Sequence, residues 1–98
     1  MRKANLSMTE KSSLYNHIDE ELVQFMQFEN ETLTNRQEQG KEFKNCYFEN
    51  IVCEDVNFEN SYFMDIIFKN CDLSNVKFYS CLFRRVEFVN CKLIDTLS

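Results

Sequence analysis

From Phe43 to the C-terminus the chain keeps a beat of five. Apolar centres stand at Phe43, Phe48, Cys53, Phe58, Phe63, Phe68, Leu73, Phe78, Phe83, Phe88 and Leu93. Two residues before each, from Phe48 onward, sit Cys46, Ile51, Val56, Ser61, Ile66, Cys71, Val76, Cys81, Val86 and Cys91, all small or β-branched. Two residues after each centre comes Asn or Asp, except at Ser80 and Arg85. A helix cannot use this beat, because five steps displace each centre by about 140° and no apolar stripe forms. A straight strand fails as well: five is odd, so successive centres would point to opposite faces.

One geometry satisfies the pattern. Residues two apart in an extended segment point the same way, so the small residue and the centre both face inward. The chain then turns a corner before the next pair. Asn and Asp suit the corner, since they tolerate left-handed dihedrals and hydrogen-bond their own backbone. Four sides close a coil of roughly twenty residues, and coils stack about 4.8 Å apart with backbone hydrogen bonds running between them. Each coil then touches only its neighbours. The pattern predicts stacked ladders: Phe43 with Phe63 and Phe83, Phe48 with Phe68 and Phe88, Cys53 with Leu73 and Leu93, and Phe58 with Phe78.

The stretch "FKNCYFENIVCEDVNFENSYF" resembles the pentapeptide repeat proteins. That resemblance implies an all-β solenoid, a right-handed quadrilateral β-helix, and a motif that carries no catalytic residues. This chain places Val, Ile and Cys where the family often has Ala, and Asn or Asp where it often has Gly. The expected organisation is a disordered tail over 1–12, a cap over 13–42 and the β-helix over 43–98.

Within the cap, Leu14, Ile18, Leu22, Phe25 and Met26 fall at helical spacing and predict a short capping helix from 13 or 17 to 27. Asn16 is placed to cap it, with Asp19 and Glu20 in its first turn. Phe28, Leu33 and Glu38 keep the spacing of five, with Asn30, Asn35 and Gly40 at corners. Glu31, Arg36 and Lys41 then fall at inward positions, which suits a degenerate first coil rather than a filled one. At the other end "LIDTLS" keeps the beat without a cap. The expectation is a fragment of a longer solenoid or an end-to-end homodimer through the C-terminal coil.

The net charge is −5 over 98 residues. It is uneven: residues 1–40 are net −3, 41–65 net −4 and 66–98 net +2. An acidic balance disfavours direct nucleic-acid binding. The N-terminus lacks an apolar signal region, and no apolar run reaches the roughly 18 residues of a membrane span. These features predict a cytoplasmic chain with no membrane partner. Five Cys is an odd number, so a disulfide framework is not expected.

Candidate chemistry is sparse. His17 is the single His, and no partner is evident beside it in the sequence. The Cys residues keep the spacing of the repeat, so they read as buried thiols, with Cys71 and Cys91 as stacked neighbours. No phosphate loop exists. No enzyme, cofactor or metal is expected. The surface remains: Tyr62, Met64, Leu82, Arg84 and Arg85 on one face, and Tyr47 and Ile67 on the next, make an apolar strip edged by arginines. The expected function is a non-catalytic protein-interaction module. The alternative, which the resemblance implies, is a DNA mimic protecting a type II topoisomerase (gyrase) from quinolones.

Overall fold

The computed structural model describes residue 4 and residues 9–93. In chain order the elements are β1 (Glu10–Lys11), α1 (Leu14–His17), β2 (Leu22–Gln39), β3 (Glu42–Glu59), β4 (Tyr62–Lys69), β5 (Val76–Lys77) and β6 (Leu82–Val89). Every strand pair is parallel. The register repeats without slippage: Leu22 pairs with Glu42, Glu42 with Tyr62, and Tyr62 with Leu82. The chain therefore winds into a β-solenoid of stacked coils.

The corners explain how strands as long as β2 and β3 can close into coils. Asn45, Asn50, Asp55, Asn60, Asp65, Asn70, Ser80, Arg85 and Asn90 all have positive φ, between 52° and 56°. Asn75 is the exception among the predicted corners. There the Asp72 carboxylate accepts hydrogen bonds from the Ser74 N–H and Oγ, at 3.1 and 2.6 Å. The Val76 N–H donates to the Leu73 carbonyl and closes a local turn. An Asp side chain does at this corner what a left-handed backbone does at the others. The expected corner at Asp95 lies outside the described residues.

The predicted ladders are present. Phe43 and Phe63 stack with centroids 5.1 Å apart, and Phe63 and Phe83 follow at 5.3 Å. Phe48, Phe68 and Phe88 stack at 4.8 and 5.2 Å, and Phe58 on Phe78 at 6.0 Å. The inward residues of the two middle coils are buried, whereas Phe83 is 37% and Leu93 38% exposed on the last coil.

The beat extends further towards the N-terminus than Phe43. Val23, Phe28 and Leu33 are buried beneath Phe43, Phe48 and Cys53, and Asn30, Asn35 and Gly40 have positive φ. The first coil is complete. The predicted helix from 13 or 17 to 27 shrinks to the single turn of α1, and Leu22 onward is strand. Leu22, Phe25 and Met26 fit a helical stripe, but pairing with β3 overrides that local pattern. Leu22 and Phe25 are left 42% exposed, while Leu14 and Ile18 bury fully against the first coil. Asn16 does not cap the turn. Ser13 is its N-cap residue, and the Glu31 carboxylate accepts from the Leu14 and Tyr15 N–H groups at 2.8 and 3.1 Å. Glu10–Lys11, expected to lack structure, pair with Met26–Gln27. Residues 1–3 and 5–8 of the expected tail lie outside the described residues.

Candidate interaction face

Each side of the solenoid presents two outward columns. On the side that begins each coil, the columns run Leu22–Glu42–Tyr62–Leu82 and Gln24–Lys44–Met64–Arg84. Four of the candidate residues therefore share one flat surface: Tyr62, Met64, Leu82 and Arg84. The Tyr62 hydroxyl donates to Met64 Sδ at 3.3 Å, which links the two columns. Leu82 stands 67% exposed above them and Arg84 is exposed beside it. One coil below, Glu42 and Lys44 pair at 3.7 Å.

Tyr47 and Ile67 lie on the next side, in the column Gln27–Tyr47–Ile67–Glu87. The Tyr47 hydroxyl donates to Glu49 Oε1 at 3.0 Å; burial and that carboxylate push the phenol pKa up. The N-terminal segment is anchored at both ends of this column. The Ala4 N–H donates to Glu87 Oε2 at 2.8 Å, and Gln27 Nε2 donates to Thr9 Oγ1.

Arg85 stands at the corner between the two sides. Its guanidinium is bidentate on Asp65, the corner residue one coil below, with Nε 2.5 Å from Oδ1 and Nη2 2.9 Å from Oδ2. The carboxylate holds the guanidinium in its charged form. Arg85 thus has an intramolecular task, and Arg84 is the more available arginine of the pair. The signal was in the sequence, because Asp65 precedes Arg85 by one full coil.

The inward charges of the first coil also find partners. Lys41 Nζ donates to the Glu20 carbonyl at 2.6 Å and lies 3.3 Å from Glu38 Oε1. Arg36 lies 3.1 Å from Asp19 Oδ1 and 3.7 Å from Glu38 Oε2, with its guanidinium over the Tyr15 ring. Together with Glu31 on α1, these groups fasten residues 13–21 across the N-terminal end. Residues wrong for a filled core are right for a closed end, where each charge meets a cap group.

His17 has neighbours that the sequence did not suggest. Its Nε2 lies 2.8 Å from Ser12 Oγ and its Nδ1 3.0 Å from Glu20 Oε1. The order Ser–His–Glu is that of a hydrolytic triad. The Leu14 and Tyr15 N–H groups of the same turn donate to the Glu31 carboxylate. The trio ties residues 12, 17 and 20 together. The five cysteines are free thiols, and no group of His, Cys, Asp or Glu among the described residues could hold a metal ion. No described helix is long and apolar enough to cross a membrane.

Parallel coils, in-register side-chain ladders and a turn every fifth residue define a β-solenoid of the five-residue type. The family model of the pentapeptide repeats matches residues 42–85, in eight copies. Residues 42–85 are accordingly a run of pentapeptide repeats. The first coil and residues 86–93 keep the same register outside the matched segment. No curated protein matches the chain.

Proposed function

We propose that the protein is a non-catalytic interaction module that binds a protein partner through the face of Tyr62, Met64, Leu82 and Arg84. The observation that carries this reading is Leu82, the most exposed large apolar side chain among the described residues, seated between aromatic, thioether and arginine neighbours on rigid strands. Apolar and aromatic groups with an arginine at the rim are the composition of protein contact sites. Tyr47 and Ile67 extend the surface around the corner. Exposed Phe83 and Leu93 on the last coil support, by a separate route, pairing of that coil with a second copy. The cytoplasm suits a chain with five free thiols.

The test is a cross-linking pull-down with Leu82→Asp and Arg84→Glu, each checked for an unchanged circular dichroism spectrum. Loss of a partner captured by the wild type supports the face; retention by both variants removes it. A DNA-mimic role has weaker support. The outward acids Glu49, Glu54 and Glu59 cluster on one coil, and Lys69, Lys77 and Arg84 follow on the next two. A gyrase supercoiling assay with and without a fluoroquinolone decides it: protection at micromolar protein would favour the mimic over the interaction face.

A further inference from the structure

Cys71 and Cys91 occupy the same inward column one coil apart, above Glu31 and Ile51. Their thiols are held in equivalent ways. Cys71 Sγ donates to the Phe48 and Lys69 carbonyls at 3.5 and 3.3 Å. Cys91 Sγ donates to the Phe68 and Val89 carbonyls at 3.2 and 3.5 Å. Phe48 pairs with Phe68 and Lys69 with Val89, so one thiol sits directly over the other. Burial, and to a lesser degree the neighbouring Cys91 side chain, push the Cys71 thiol up to about 11. Neighbouring strands lie about 4.8 Å apart, inside the roughly 4.4–6.8 Å that the Cα atoms of a disulfide span. Cys71 is buried, whereas Cys91 is half-exposed. A solvent-open groove lined by Asn70, Asp72, Asn90 and Lys92 reaches both.

We propose that Cys71 and Cys91 are a peroxide-sensitive dithiol that closes to a disulfide and staples the last coil to the one before it. Cys91, the half-exposed thiol, reacts first. Its thiolate sulfur attacks hydrogen peroxide, an S–O bond forms and the O–O bond breaks. Cys91 becomes a sulfenic acid, and the other peroxide oxygen is reduced and leaves as water after taking up a proton. Cys71 sulfur then attacks the sulfenic sulfur. The S–S bond forms, the S–O bond breaks, and the hydroxyl leaves as water with the Cys71 proton. The remaining thiols lack this combination: Cys46 and Cys53 are buried, and Cys81 stacks over Ser61.

Ser61 shows that a hydroxyl fits a small inward position, since its Oγ donates to the Glu59 carbonyl two residues back, as Cys71 Sγ does to Lys69. Cys71→Ser and Cys91→Ser are therefore the variants to use. The reduced full chain is treated with hydrogen peroxide and then with dimedone, and its peptides are mapped by mass spectrometry. The expected result is a Cys71–Cys91 cross-linked peptide in the wild type, reversed by dithiothreitol. The Cys71→Ser variant should yield a dimedone adduct on Cys91, and the Cys91→Ser variant no cross-link. A wild type that accumulates the Cys91 adduct while Cys71 stays alkylatable overturns the proposal. So does a disulfide that runs to Cys81 or between two copies.

Discussion

The guanidinium of Arg85 lies across the carboxylate of Asp65, two corner residues bonded through two nitrogens to two oxygens. The pair sits where the chain must turn at positive φ on both coils, so it fastens one corner to the next. Asp65 is buried, and removing its cation leaves a desolvated carboxylate. Arg85→Ala should lower the urea midpoint of unfolding, whereas Arg84→Ala, on the exposed neighbour, should leave it within error. Equal effects of the two variants would remove the distinction between a fastening and a free arginine.

Phe63 is the centre of its ladder, stacked on Phe43 below and Phe83 above and edge-on to Phe58 and Phe78. Phe63→Ala should destabilise the protein by about 3–5 kcal/mol. Phe83→Ala, at a site already 37% exposed, should cost less than half of that. Equilibrium urea unfolding of the two variants measures the ratio.

Phe25 turns the first corner at φ 59° and is 42% exposed, an unfavourable backbone for an aromatic residue that gains little burial. The corner above it is Asn45. Phe25→Asn should therefore stabilise the fold by about 1 kcal/mol, read as a higher urea midpoint at unchanged slope. A lower midpoint would mean that the Phe25 ring contributes packing which outweighs its backbone strain.

Lys41 joins the cap to the first coil through Glu20 and Glu38. Lys41→Ala should cost about 3 kcal/mol, because Glu38 loses its nearest cation in a half-buried site. The loss should appear first as faster amide exchange in β2, the strand under the cap. If exchange slows or stays constant there, the cap is not held by this lysine.

Burial pushes the Cys46 thiol up to about 11 and the Cys53 thiol up to about 12. In the unfolded chain a thiol ionises near 9.0. The sign follows: stability is complete below pH 9, falls as the unfolded state alone releases protons, and stops falling once each folded thiol ionises. Each thiol should remove about 1.4 kcal/mol per pH unit within its window. Cys53→Val should flatten this alkaline limb in a pH series of urea titrations. An unchanged slope would show that Cys53 stays protonated in the unfolded chain too.

The ladder residues were legible from spacing alone, because the beat of five excludes both ordinary periods and leaves few geometries. The corners followed from Asn and Asp, and the one that departs, Asn75, is replaced by an Asp72 side chain that local sequence does not single out. The extent of the helix is not legible, because Leu22, Phe25 and Met26 satisfy a helical stripe while Val23 and Phe28 satisfy the coil. Only pairing with β3 decides between them. Glu31, Arg36 and Lys41 looked like faults in a core, since their partners Asp19, Glu20 and the turn of α1 come from a segment whose path the beat does not describe. The candidate face was partly legible. Tyr62, Met64, Leu82 and Arg84 do share a surface, Tyr47 and Ile67 stand around a corner, and Arg85 is engaged by Asp65.

The unslipping register has a consequence for how such a chain can change. Inserting one five-residue unit after Asn70 would keep every later centre inward and every corner at a corner. It would also rotate all that follows by a quarter turn about the axis. Leu82 and Arg84 would move to the neighbouring side with the core pattern untouched. A protein built this way can re-aim its surface by gene duplication in units of fifteen nucleotides, without first solving a new packing problem.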